Sequence, residues 1–202
     1  MQRFLMSIGF LIFMSSLVGC THNENQEQLE VLVKTHWGDK MLHERNFYQT
    51  IITELSSEDL NAGFLKGVGA TQRDFYTINQ RDDKGSIQDI IDQYYEDEEV
   101  EKINEVLQKA EDTSFALAHH LENEDLSVLF HNKQFISSVD GLIDAYVIGQ
   151  GSVISSDDLT LINIIKYPEN ISEKYSSNEI LTLLIDIENN LELLSQEIVN
   201  VE

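Results

Sequence analysis

Apolar residues recur along most of this chain every three or four positions, the spacing that gathers side chains on one face of an α-helix. The clearest run is the last one, where Ile180, Leu184, Ile187, Leu191, Leu194, Ile198 and Val201 alternate steps of four and three. Val100, Ile103, Leu107, Ala110, Ser114, Leu117 and Leu121 do the same in mid-chain. Between residues 29 and 55 a stripe runs through Val33, Trp37, Met41, Tyr48, Ile51 and Leu55. Gly38-Asp39 is a candidate break in it, because glycine inside a helix costs ~1 kcal/mol and Asp39 can cap a restart. Further stripes are marked by Leu60, Phe64, Val68 and Phe75, by Ile87, Ile91 and Tyr94, and by Leu129, Phe130, Ile136, Val139, Ile143 and Val147. The short segment 159–165 runs out before Pro168, the one proline of the chain. With few strand-turn signals beside these stripes, the predicted fold is all-α, a single-domain bundle of about six or seven helices.

Polar residues predict where helices start. Ser56, Ser155 and Ser176 each precede a carboxylate by three positions, with an apolar residue following, and Ser86-Ile87-Gln88-Asp89 repeats the serine-to-carboxylate spacing. A hydroxyl there accepts from an otherwise unpaired amide, and the carboxylate meets the positive end of the helix dipole. The likeness among these stretches therefore reads as four helix starts rather than an internal repeat. In the last helix, Leu181, Leu183, Ile185 and Leu193 widen the apolar surface beyond a coiled-coil seam, favouring burial in the bundle. A homodimer through this C-terminal helix is the alternative.

The N-terminus follows a different pattern. Arg3 precedes an apolar run from residue 4 to 14, broken only by Ser7 and Gly9 and followed by Ser15, Ser16 and Leu17-Val18-Gly19-Cys20. That is the layout of a secretory signal. Its ending resembles the lipobox of bacterial prolipoproteins. The resemblance implies cleavage before Cys20 once its thiol carries a diacylglyceryl group, and attachment of the mature chain to a membrane by its N-terminal lipid. Cys20 is the single cysteine, so the mature fold has no disulfide to rely on. The expected organisation is a signal peptide over 1–19, a lipidated cysteine and polar tether over 20–28, and a helical domain over 29–202. In a Gram-negative cell Thr21 directs such a protein to the outer membrane; in a Gram-positive cell it sits on the outer face of the cell membrane.

Composition narrows the function classes. The chain has 13 basic against 36 acidic residues and a formal net charge of −23. Such a surface repels nucleic acid, so no nucleic-acid partner is expected. A hydrophobic content of 42% argues for a folded domain despite the charge.

None of His22, His36, His43, His119, His120 and His131 has a glutamate three positions before it, as di-iron bundles need. His43-Glu44 is followed by Arg45-Asn46-Phe47 and does not complete a His-Glu-x-x-His motif. His119-His120 reads as a solvated pair, His119 on the outer face and His120 beside the core stripe. Setting Gly85 as the turn glycine of a calcium loop puts Gln80 and Ile91 at the first and last ligand positions, which fails. Glu96-Asp97-Glu98-Glu99 reads as a solvated helix start. Gly149-Gln150-Gly151-Ser152 has the wrong order for a nucleophile elbow. No catalytic residue, cofactor or metal site is expected, and the chain reads as a non-enzyme.

Two features stand out. Glu44 falls on the apolar stripe between Met41 and Tyr48, where a buried carboxylate needs a partner or a raised pKa. His43, Arg45 or a residue of another helix is the candidate partner. Gly63, Gly67 and Gly69 allow close helix packing, or the floor of a ligand cleft. The leading expectation is a lipid-anchored extracytoplasmic protein that binds another envelope protein in an accessory, assembly or inhibitory role. The alternative is a small-ligand or metal-binding lipoprotein, with Glu44, His43, Gly63 and Gly67 as the contact residues.

Overall fold

Eight α-helices and no strand make up the described residues of the computed structural model. These are 2–57, 60–79, 84–123, 132–146 and 155–199, with side chains described from residue 27 onward apart from 78, 79 and 84–86. The all-α bundle follows the sequence expectation, with one or two more helices. In order they are α1 (Gln2–Leu55), α2 (Ala62–Asn79), α3 (Lys84–Ile91), α4 (Asp97–Asn123), α5 (Lys133–Tyr146), α6 (Leu161–Lys166), α7 (Pro168–Lys174) and α8 (Ser177–Val199). Among the residues with described side chains, no helix is long and apolar enough to cross a membrane.

The long stripes are the core. On α8, Ile180, Leu184, Ile187, Leu191, Leu194 and Ile198 are all buried, against α4 and α5. Each such side chain contributes roughly 1.5–3 kcal/mol on leaving water. The seam that suggested a coiled coil is thus filled from within the chain, while Ile185 and Leu193 remain on the outer face. On α4 every residue of the mid-chain stripe is buried. Ion pairs flank the α4–α8 contact, Lys109 with Glu192 at 2.5 Å and Lys102 with Glu188 at 3.2 Å.

α1 takes in residues 2–28, to which the sequence assigns leader and tether, and it does not break at Gly38. Gly38 has a packing reason instead: a Cβ there would lie 3.0 Å from Lys166 Cδ, so its absence lets α6 approach. Lys34 joins the same helix to α7 through Glu169 at 3.0 Å. From Trp37 to Leu55 the buried stripe is the expected one, and Glu44 within it has no exposed surface.

Three of the four serine starts are corrected. Only Ser176 caps as expected: its hydroxyl and amide both donate to Glu179, at 2.7 and 2.9 Å, and it accepts from the Glu179 amide at 3.4 Å. After Ser56 and Ser57 the helix begins six residues on, at Ala62, because Asn61 accepts from the Phe64 amide at 2.9 Å. After Ser155 it begins at Leu161, capped by Thr160. Ser155 forms a turn there, fastened by the buried amide of Asn163, which donates to the Ser155 and Asp158 carbonyls at 2.8 Å. Ser86 lies inside α3, which starts at Lys84. Residues 80–83 of the rejected calcium loop, and Leu129, Phe130 and Val147 of the α5 stripe, lie outside the described residues.

The apolar stripe of α2 is also turned. Leu60, Phe64, Val68 and Phe75 were expected to face the core, but the buried positions are Leu65, Gly69, Gln72 and Tyr76. Gly69 explains the rotation: a Cβ there would sit 2.5 Å from the Ala118 carbonyl of α4. α2 therefore packs glycine-down on α4, leaving its larger residues on the side facing α1.

Candidate functional site

A groove of about 500 Å³ runs between α1 and α2. α1 supplies His43, Asn46, Phe47 and Thr50 to it; α2 supplies Gly63, Phe64, Gly67, Val68, Thr71 and Gln72. Small-molecule sites commonly span ~300–1,000 Å³. The turn between the helices sets the lip. Glu54 accepts from the Asn61 amide at 2.7 Å, Asn61 caps α2, and Phe64 projects there half-exposed.

No formal charge lines the groove, although the chain is strongly acidic. Thr50 and Thr71 spend their hydroxyl donors on their own helices, bonding the Asn46 and Gly67 carbonyls at 2.8 and 2.9 Å. His43 stacks on Phe75 with ring centroids 3.8 Å apart. Burial holds its pKa below the ordinary histidine value, with Gln72 beside it opposing the shift. The ring is neutral at pH 7. Gln72 in turn donates to Ser114 of α4 at 2.9 Å.

The structure brings His43, Gly63 and Gly67 together on this groove, and separates Glu44 from them. One residue further round α1, Glu44 points into the core. Its two oxygens accept from two tyrosines of other helices, Oε1 from Tyr76 of α2 and Oε2 from Tyr146 of α5 at 2.9 Å. The partners are thus neither His43 nor Arg45. Lys40, one turn earlier, pairs with Glu111 of α4 at 3.5 Å and lies over the rings of Trp37 and Tyr76.

Burial pushes the Glu44 pKa up to about 8, against the Tyr146 hydrogen bond and the Lys40 charge, both of which lower it, and with Glu111 adding to the rise. Desolvation of the carboxylate is the largest of these effects. Burial and the Glu44 charge raise Tyr48 and Tyr146 well above the phenol range, so both keep their protons. The Tyr48 hydroxyl has Ser114 beside it but no hydrogen bond of good geometry.

The glycines divide by role. Gly69 makes the close approach; Gly67 has nothing within 4 Å of where a Cβ would be, and Gly63 only Asn61 Oδ1 at 3.5 Å. Close helix packing therefore accounts for Gly69 alone, while Gly63 and Gly67 open onto the groove. Sequence reasoning missed Tyr76, Tyr146, Gln72 and Lys40. Tyr76 is one position off the expected α2 stripe, so the stripe carries no signal that it faces the core. Of the paired histidines, His120 is buried and His119 exposed.

Among the described residues no group of three or more His, Cys, Asp or Glu is placed to hold a metal ion. Fold and site together define a helical bundle with an uncharged lateral groove and a buried carboxyl behind it. No family model, curated protein or solved structure matches the chain.

Proposed function

We propose that this chain is a lipid-anchored extracytoplasmic protein that binds another protein of the cell envelope through the α1–α2 groove. The observation that carries the reading is the groove itself: an uncharged trough with Phe64 standing half-exposed at its lip, on an otherwise acidic molecule. Apolar surface of this kind, rimmed by polar residues, is where soluble proteins meet partners. The sequence ending at Cys20 supports the anchor, and Leu29 and Leu32 expose apolar surface on the part of α1 nearest it.

Two substitutions test the two halves of the reading. Cys20→Ala is expected to abolish acyl labelling; continued labelling ends the anchor. Gly67→Leu fills the groove where a Cβ meets nothing. It is expected to lower partner capture by in-cell cross-linking about tenfold or more, a cost of ~1.4 kcal/mol. Undiminished capture moves the contact elsewhere.

A second reading, a small uncharged ligand in the same groove, is favoured by the volume and by the neutral polar groups of His43, Asn46 and Gln72 around it. Native mass spectrometry of the purified protein separates the two, since a retained small molecule appears as added mass.

A further inference from the structure

Glu44 is the one fully buried carboxylate among the described side chains with no exposed surface at all. Fully buried acids are rare unless paired. Groups face it from each neighbouring element: Lys40 and Tyr48 on its own helix, Tyr76 on α2, Glu111 on α4 and Tyr146 on α5. The carboxyl therefore bridges three helices. Both of its oxygens are engaged by hydroxyls, and the Lys40 charge one turn away also acts on it.

A route to solvent exists on one side. Tyr76 and Glu111 line a cavity of about 170 Å³ together with the exposed residues Asp112 and Phe115. Tyr76 thus touches both this cavity and, through its hydroxyl, the Glu44 carboxyl.

The α1–α2 seam is also one of the more sparsely packed in the bundle. α1 packs chiefly on α5 and α6, and α2 on α4, with sparser contact between α1 and α2. Across that seam lie the Glu44–Tyr76 bond, the His43–Phe75 stack and the groove.

We propose that Glu44 is a proton-binding site that latches α1 to α2. With the proton bound, one carboxyl oxygen still accepts while the other, now an O–H, can donate, so the neutral group bridges Tyr76 and Tyr146 without a buried charge. Loss of the proton through Tyr76 to water in the cavity leaves a buried carboxylate, and the seam opens to hydrate it. The latch stands on the buried geometry alone; that it also sets the width of a binding groove rests on the function proposed above.

Hydrogen exchange of the full chain in detergent, corrected for intrinsic rates, tests the latch without any partner. Between about pH 6 and pH 9, wild-type α2 is expected to lose about tenfold or more of its protection beyond whatever α8 loses with the whole fold. Glu44→Gln is expected to hold α2 protection constant over that range. Equal α2 behaviour in wild type and Glu44→Gln overturns the latch, as does loss shared equally by α2 and α8. Should Glu44→Gln fail to fold, Tyr76→Phe replaces it. Its α2 protection near pH 6 is expected to drop toward the wild-type level near pH 9, and an undiminished value overturns the latch. A groove without a protein partner leaves these results unchanged, so failure of the function and failure of the latch are separable.

Discussion

Two glycines two positions apart on α2 have opposite reasons to exist. Gly69 lies where a Cβ would come within 2.5 Å of a backbone carbonyl, an atom that cannot rotate away. Gly69→Ala is therefore expected to destabilise the fold by ~1–3 kcal/mol, read from the urea midpoint. Gly67 faces open space, and Gly67→Ala is expected to stabilise by up to ~1 kcal/mol through helix propensity and a less flexible unfolded chain. Two equal losses would contradict the assignment of the groove face. The titratable residues behind them pull in opposite directions with pH. The Glu44 pKa rises from 4.5 unfolded to about 8 folded, so its contribution is complete below about 4.5 and is lost as pH climbs through about 8. Across that window the loss is on the order of 3–5 kcal/mol. His43 is lowered, so its contribution is present above its unfolded value and is lost as pH falls through the folded one. Urea unfolding at about pH 5 and pH 9 checks the larger effect: wild type is expected to lose several kcal/mol, and Glu44→Gln to stay nearly level. A parallel decline in both would place the pH dependence elsewhere.

Among the helices, α8 and α4 were legible because one side of each is apolar almost without interruption, so periodicity alone locates the buried face. α2 was not. Its core side carries Leu65, Gly69, Gln72 and Tyr76, a mixture that no hydrophobic pattern flags, while Phe64 and Val68 on the flank toward α1 form part of the groove. The more regular apolar stripe lies along the groove. Helix starts were misplaced for a related reason: the cap is whichever side chain tertiary packing puts at the first free amide, and Asn61 and Thr160 take that place from the serines upstream. Glu44 could be singled out because it interrupts a stripe, but its tyrosine partners come from 32 and 102 residues away and leave no local trace. On α8, Leu191→Ala is expected to cost ~2–5 kcal/mol, whereas Ile185→Asp on the outer face stays within ~0.5 kcal/mol. The large apolar residues that α8 leaves exposed for a dimer are Ile185, Leu193 and Val199. Sedimentation of Ile185→Asp against wild type therefore reads that association directly, and identical sedimentation would exclude Ile185 as its contact.

For the whole molecule, charge and groove work together. With 36 acidic residues against 13 basic ones, most surfaces repel an acidic neighbour. Several of the lysines are committed to ion pairs that join helices: Lys34 to α7, and Lys102 and Lys109 to α8. The uncharged α1–α2 face is then the place where a partner can approach by apolar contact without confronting that field. Placing the chain at a membrane through Cys20 would raise the effective concentration of any partner anchored in the same envelope.

The most direct test is in-cell photocross-linking of the lipidated protein with a photoreactive residue in place of Phe64, compared with the same residue in place of Ile185. The account predicts one dominant protein adduct from position 64 that is absent from position 185. No adduct from position 64, or the same adducts from both positions, would contradict a protein partner in the groove.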